Sequence, residues 1–182
     1  MVVRFRTPRG TMTEQFNYDD VSHYTLEDPD IRALIEAQNE CTFMWSTKEG
    51  WPVGVIMSYV FKDDFFWLSV SSLRVRVQAV ERDPRASISI TSKGCKLPTG
   101  LSLTYKGLCK VYSDQDTIDW FLPALAKRLR RGNDEAQRVF VELNDTANRR
   151  VIQFTPTKTI GFDGRKMGQA TIDAVGDRKS VV

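Results

Sequence analysis

The segment Phe65–Ile90 constrains the fold most, because its apolar pattern predicts a strand, a helix and a second strand in immediate succession. Phe65–Val70 is aromatic and aliphatic, which is typical of a strand. Leu73, Val77 and Val80 then recur at helical spacing, which predicts a helix of about three turns.

The second strand of this segment starts after Asp83-Pro84. The residue before a proline avoids helical conformation, so the helix is expected to end there. From Arg85 onward apolar residues alternate with serine, which predicts a strand with one buried face. The apolar members are Ala86, Ile88 and Ile90.

The junction between the first strand and the helix combines serine hydroxyls with two arginines, Arg74 and Arg76. A helix N-terminus offers unpaired N–H groups and the positive end of the helix dipole, so this combination can bind a phosphate. The other interpretation is a helix capped by Ser69, Ser71 or Ser72, with a solvated basic face. The residue types alone allow both.

The sequence resembles the pyridoxamine-phosphate-oxidase-like family, the flavin and deazaflavin split barrels, over three stretches. These are STKEGWPVGVIMSYVFKDD at 46–64, FFWLSVSSLRVRVQAVERDPRASISI at 65–90 and RRVIQFTPTKTIGFDGRKMG at 149–168. The chain departs from the family pattern at three positions. Val75-Arg76 stands where the family often has Arg-Lys, Ala79 replaces a frequent asparagine, and Val70 stands where threonine or serine is common.

The resemblance implies a mainly β fold, a six- to seven-stranded antiparallel split β-barrel with peripheral helices. We expect an N-terminal arm over 1–24, the split-barrel domain over 25–168 and a C-terminal tail over 169–182, frayed beyond Gly168. The family is homodimeric, with two cofactor sites at the subunit interface. Six aromatic residues lie around one hairpin, and part of this set is therefore expected in the dimer core. Its members are Trp45, Trp51, Phe61, Phe65, Phe66 and Trp67.

The cofactor implied is FMN or a deazaflavin, between which the sequence does not choose. Arg76 is expected to be the main side-chain contact to the cofactor phosphate and to lie off the packed helix face. Gly54 either leaves room for a flat ligand or marks an ordinary bulge. The predicted cofactor-binding residues are Pro52, Val53, Val55, Ser69, Val70, Ser71, Arg74 and Arg76.

Composition excludes several other classes of site. His23 is the only histidine, which argues against nucleophile triads and multi-histidine metal sites, and we predict no metal and identify no catalytic side chain. Three cysteines without a CxxC motif indicate free thiols in a reducing cytoplasm. The sequence shows no signal peptide and no membrane span. A net charge of +3 does not demand nucleic acid, and we expect none as a partner.

The remaining elements follow from periodicity and turn residues. A strand with alternating faces and a bend at Gly107 is the clearest among them. A helix capped by Asp114 is expected to reach Leu122 and to kink or restart at Pro123. Its basic run at 127–131 either complements the helix dipole or receives an anion. The other predicted elements are a helix over Leu26–Asn39, strands over Cys41–Thr47, Trp51–Phe61 and Leu101–Val111, a helix over Asn133–Leu143 and a last strand over Arg150–Thr155.

The function expected from the resemblance is a flavin- or deazaflavin-dependent oxidoreductase that transfers hydride to or from a small organic substrate. The alternative is a non-catalytic flavin or haem carrier of the same fold. Without a histidine-based or metal-based site, the chemistry in either case belongs to a bound cofactor.

Overall fold

A computed structural model of the protein describes residues 20–179, and side chains from 20 to 173. The arm expected over 1–24 therefore lies almost entirely outside the described residues, apart from a short 3-10 helix at Val21–His23. The elements in chain order are α1 (Asp28–Ala37), β1 (Glu40–Ser46), β2 (Pro52–Lys62), β3 (Phe65–Ser71), α2 (Val75–Arg82), β4 (Arg85–Thr91), β5 (Leu101–Tyr112), α3 (Gln115–Leu129), α4 (Asp134–Asn144), β6 (Arg149–Asp163) and α5 (Gly164–Lys179).

The strands form a closed antiparallel barrel in the order β1-β2-β3-β6-β5-β4. This confirms the predicted mainly β split barrel with peripheral helices. Alternation along the strands places one set of side chains inside the barrel, as in β4, where Ala86, Ile88 and Ile90 are buried. No helix in the described part of the chain is long and apolar enough to cross a membrane.

Two apolar clusters hold the fold together. The larger fills the barrel and includes Phe43, Tyr59 and Phe66, all fully buried. The smaller lies outside the barrel wall, where Trp67 packs under α3. Trp45, Phe66 and Trp67 are thus buried within their own chain and are not in the part of the aromatic set that is expected in a dimer core. Trp51 is the exposed member of the aromatic set.

Helix α3 runs through Pro123 to Leu129, so the expectation that the helix restarts at Pro123 is wrong, and the kink stays a prediction. Asp114 caps it as expected, because its carboxylate accepts a hydrogen bond from the Thr117 N–H at 2.9 Å. In the basic run, the Arg128 guanidinium donates to the Ile35 carbonyl at 2.7 Å and to other carbonyls at the end of α1. It also lies over the Tyr59 ring. Arg128 therefore ties α3 to α1, which accounts for one cation of the run without an anionic ligand.

Strand β6 is much longer than the predicted Arg150–Thr155, because a bulge carries it past Pro156. Lys106 pairs with Lys158 and Gly107 pairs with Pro156, so Thr157 is left without an opposite residue. The proline has no N–H to offer a ladder, and the bulge accommodates it. This shift of register lies next to Gly107, the predicted bend point of β5, while the bend itself stays a prediction.

At Gly107 the neighbouring strand leaves no room for a side chain. A Cβ atom there would stand 2.2 Å from the Thr155 carbonyl oxygen and 2.5 Å from the Phe154 ring. We expect Gly107→Ala to lower the free energy of unfolding by about 1–3 kcal/mol, as overpacking does. Gly168→Ala is the matched control, because nothing lies within 4 Å of its added methyl group in α5. Urea denaturation of both variants checks this, and equal stabilities would contradict it.

Helix α5 continues where the tail was expected to fray, and the boundary predicted after Gly168 falls within it. Its start is held by Asp163, whose side chain is 1% exposed. The Asp163 carboxylate accepts hydrogen bonds from the backbone N–H and the guanidinium of Arg165, which also reaches Asp30 on α1. Lys166 donates to Glu27 at 2.7 Å. The helix is therefore attached to the entrance of α1 by charged groups.

The hydrogen bonds from Arg165 hold the pKa of Asp163 below its usual value. A lowered folded-state pKa stabilises the protein above the unfolded-state value, about 3.9 for Asp, and this contribution disappears as the pH falls through the folded value. We expect Asp163→Asn to lower the free energy of unfolding by about 1–3 kcal/mol at pH 7. The difference from the parent should shrink below about pH 4. The exposed Glu36→Gln is the control, and a difference independent of pH would contradict the assignment.

Candidate functional site

Strand β2 pairs with β1 along one edge and with β3 along the other, but over different parts of its length. From Pro52 to Ser58 it pairs with β1, whereas its ladder with β3 covers only Tyr59–Lys62 against Phe65–Leu68. The end of β3, from Ser69 to Ser71, is paired only with β6, on its other edge. No ladder therefore joins the first half of β2 to the last residues of β3, and we call this interruption of the sheet the opening.

Six of the eight predicted site residues border this opening. Val53 and Val55 are half-buried and pack against the barrel core, while Pro52 is exposed. On the facing strand Val70 is buried, and Ser69 and Ser71 are half-buried. The six are Pro52, Val53, Val55, Ser69, Val70 and Ser71. The six thus belong to two separate strand segments that border the same interruption of the sheet.

Gly54 lies in a regular part of the β1–β2 ladder, opposite Met44, so the bulge interpretation is wrong. A Cβ atom at Gly54 would stand 3.0 Å from Met44 Cγ and 3.1 Å from Thr42 Cγ2. The glycine is therefore explained by close side chains of β1. Next to it Ile56 is 64% exposed and forms part of the outer surface beside the opening.

Neither of the border serines caps α2, contrary to the capping interpretation. The Ser71 Oγ accepts a hydrogen bond from the Leu73 N–H at 3.3 Å. The Ser69 Oγ accepts one from Arg149 Nη1 at 2.8 Å. Because each hydroxyl acts as an acceptor within the chain, its own proton is available for another oxygen, and no acceptor for it occurs among the described residues.

Helix α2 begins later than predicted, at Val75, with Arg74 as its N-cap residue. Residues 71–74 form a turn closed by the Arg74 N–H and the Ser71 carbonyl at 3.0 Å. Leu73 belongs to this turn and is 77% exposed, so it does not share the buried face of Val77 and Val80. Helical spacing alone cannot show that a residue precedes the first helical turn.

Arg74 and Arg76 emerge from this turn and from the first turn of α2. Arg74 is exposed. Arg76 is half-buried, so the expectation that it lies free of the packed surface holds only in part. Its Nε atom is buried and has no hydrogen-bond partner. Burial, followed by the charge of Arg74, lowers the pKa of Arg76 below the usual value for arginine. An unpartnered buried donor is costly, and an anion would satisfy it.

Arg149 is the residue of this region that the sequence did not reveal. It opens β6 directly opposite Ser71, and its guanidinium donates to Ser69 as well as to Asn144 at the end of α4. The signal available in the sequence was the pair Arg149-Arg150 at the start of a strand, but only the register of β3 and β6 shows what it faces. No carboxylate in the described part of the chain lies within 4 Å of these arginines or of those on α2. The four are Arg74, Arg76, Arg149 and Arg150.

The opening offers binding groups rather than acid–base groups. Cys41 and Cys109 are buried, and burial raises the pKa of each thiol to about 12, so neither supplies a thiolate near neutral pH. Within the described residues, no three His, Cys, Asp or Glu side chains are grouped as metal ligands. Hydroxyls, an orphaned guanidinium N–H and unpaired strand edges suit a flat ligand that carries a phosphate.

A family comparison agrees with this architecture. The sequence profile of pyridoxamine 5'-phosphate oxidase matches residues 28–161, which include every strand except the last residues of β6. The chain belongs to the pyridoxamine 5'-phosphate oxidase-like family. No protein with a curated description matches the sequence.

Solved structures of this family share the fold at low sequence identity. A conserved hypothetical protein from Mycobacterium tuberculosis superposes with a TM-score of 0.69 at 18% identity, covering 86% of this chain and 93% of that one. An F420 reductase superposes with a TM-score of 0.56 at 16% identity, covering 71% of this chain and 94% of that one. The haem storage protein HutZ from Vibrio cholerae superposes with a TM-score of 0.61 at 12% identity, covering 75% of this chain and 96% of that one. At these identities the likeness establishes the fold.

Proposed function

We propose that the protein binds FMN or a deazaflavin coenzyme in the opening between β2 and β3, at a homodimer interface, and acts as an oxidoreductase on a small organic substrate. The observation that carries the proposal is the divergence of these two strands next to an arginine whose buried Nε has no partner. The family includes oxidoreductases, which agrees with this proposal.

The strand edges suit the ring system of such a cofactor. Where β2 and β3 diverge, their facing N–H and C=O groups are not used in a ladder with each other. A flavin or deazaflavin ring is flat and carries hydrogen-bonding groups along one edge, so strand backbone can bind it without polar side chains. Val53 and Val55 supply apolar surface beside that edge. Binding by backbone and valine would explain why this border lacks a conspicuous motif.

The turn after β3 suits the phosphate. Ser69 and Ser71 each have a hydroxyl proton to donate, and Arg76 has an unpartnered N–H. Donors of this kind form charge-assisted hydrogen bonds with phosphate oxygens. Arg74, exposed at the N-cap, adds positive charge. The arginines here lack carboxylate partners, so their charge is available to an anionic ligand.

When bound, a flavin or deazaflavin supplies hydride transfer, and the protein's part is to bind, orient and exclude water. None of the six residues that border the opening can act as a general acid or base at neutral pH. The same observation favours the second candidate, a non-catalytic flavin carrier. A haem carrier is less well supported, because the only imidazole, His23, is exposed and pairs with Asp20 at 3.4 Å.

Titration of the purified protein with FMN and with the deazaflavin coenzyme, followed by fluorescence and visible absorbance, tests the proposal. We expect Arg76→Ala to weaken binding by about 1.5–3 kcal/mol, or roughly 10- to 150-fold. Folding should be nearly retained, because the change removes a buried donor that already lacks a partner. Arg131→Ala, an equal charge loss in the α3–α4 turn, is the control. Equal affinities of Arg76→Ala and the parent would show that this turn holds no phosphate.

The proposed dimer has its own test. Ile56 is exposed on the outer face of β2, one residue from Val55 at the opening, so a second chain covering it would also cover the cofactor. We expect Ile56→Lys to convert a dimer into a monomer at micromolar concentration in analytical ultracentrifugation, with weaker cofactor binding. Ile172→Lys changes a similarly exposed isoleucine on α5 and should leave the dimer intact. A monomeric parent protein would contradict the interface site.

A further inference from the structure

Arg149 connects three elements at the edge of the opening. From the first position of β6, its Nη1 donates to the Ser69 hydroxyl on β3 at 2.8 Å. Its Nε donates to the Asn144 carbonyl at 2.7 Å, and its Nη2 donates to the Asn144 side-chain oxygen at 2.9 Å. Asn144 is the last residue of α4. One half-buried guanidinium therefore fixes β3, β6 and α4 relative to one another.

All three acceptors of Arg149 are neutral oxygens. Burial lowers the pKa of its guanidinium, which shows the cost of placing this charge here, yet no carboxylate in the described residues offsets it. Elsewhere Arg165 is paired with Asp163 and Arg138 with Glu142, whereas the half-buried Arg128 has only carbonyl acceptors at the end of α1. What distinguishes Arg149 from Arg128 is its hydrogen bond to Ser69, next to residues suited to phosphate, where an anionic ligand would offset its charge.

The hydrogen bond to Ser69 determines what that serine can do. A hydroxyl has one proton and can accept as well as donate. Since Arg149 occupies an acceptor position of the Ser69 Oγ, the proton is directed away from the guanidinium and remains for a ligand oxygen. Without Arg149 the hydroxyl would be free to rotate and to donate to a backbone carbonyl. Arg149 thus makes the Ser69 hydroxyl an acceptor on the side of the guanidinium and leaves it as a donor toward a ligand.

The first turn of α2 supplies only one cation to the proposed phosphate site. Val75 is 72% exposed and offers no charge, so Arg76 is the cation of that turn. Arg149 reaches the same region from another strand, opposite Ser71 in the β3–β6 ladder. Its position depends on strand register and not on the helix.

We propose that Arg149 is a positioning residue of the phosphate site, acting through Ser69, whose hydroxyl it holds with the proton directed to the phosphate group of the bound cofactor. This inference rests on the proposed function, since it concerns the same opening. The competing explanation is that Arg149 only attaches α4, where a cation favourably meets the C-terminal end of the helix dipole. The two differ in whether phosphate recognition depends on Arg149.

Pairs of ligands with and without the phosphate separate the two explanations. The probes are FMN with riboflavin, and the phosphate-bearing deazaflavin coenzyme with the deazaflavin chromophore that lacks it. For each protein the measured quantity is the ratio of the two dissociation constants within a pair, which cancels effects on ring binding. The variants are Arg149→Met, Arg149→Lys, Ser69→Ala and the double variant Ser69→Ala/Arg149→Met. Arg150→Met, a charge loss at the next residue of β6, and Asn144→Ala, which loosens α4, are controls.

We expect Arg149→Met to reduce the phosphate preference about tenfold, the scale of one charge-assisted hydrogen bond, while riboflavin binding changes little. Lysine at this position can still donate to Ser69, so Arg149→Lys should recover most of the preference even if its melting temperature stays low. The double variant should lose no more than Ser69→Ala alone, as coupled residues do. Asn144→Ala and Arg150→Met should keep the parent's preference.

An unchanged phosphate preference in Arg149→Met overturns the inference and leaves the proposed function intact. So does a loss that Asn144→Ala reproduces, because Arg149 would then act only by holding α4. Additive losses in the double variant also overturn it, since they separate Arg149 from Ser69. If the parent binds none of the four probes, the proposed function fails, and the inference fails with it.

Discussion

The pairing of β5 with β6 is the constraint on which the rest of the structure depends. These two strands stay paired from Leu101 to Tyr112, and they do so only because the ladder shifts at Gly107. A side chain at that glycine would collide with the Thr155 carbonyl, so the close approach needs a residue without Cβ. The bulge beside it lets β6 continue past a proline and stay paired with β5 as far as Asp163. The residues of β6 before the proline, Arg149–Phe154, pair with β3 and close the barrel.

Pairing with β6 also keeps the end of β3 in the sheet. Ser69, Val70 and Ser71 pair with β6 along one edge, while their other edge has no ladder with β2, whose first half pairs with β1 along its own far edge. The opening is therefore bordered by strands that are each held on their other side. Such a site is rigid without being closed, which is the arrangement that suits recognition of a flat ligand by backbone groups.

Four arginines in the described part of the chain divide into two groups by location. Arg128 and Arg165 have structural roles, the first at the carbonyl end of α1 and the second with buried Asp163. Arg76 and Arg149 lie beside the opening, and no carboxylate in the described residues pairs with them. A buried Nε without a partner occurs in Arg128 as well as in Arg76, so it does not mark a ligand site by itself. The proposed phosphate site rests on the position of Arg76 and Arg149 next to Ser69 and Ser71.

The sequence by itself determined the local elements, because strand alternation and turn residues act over short distances, and its resemblance to the family supplied the candidate border residues. Together they predicted the barrel class, the strand from Leu101 and the glycine beside which the bulge lies. Only the tertiary structure decided where β2 leaves β3, how far β6 runs beyond Pro156 and that Arg149 reaches Ser69, a residue 80 positions earlier. These depend on register between distant strands, which no local pattern contains. For the same reason Leu73 had helical spacing but belongs to a turn, whose path is set by its bonds to Ser71.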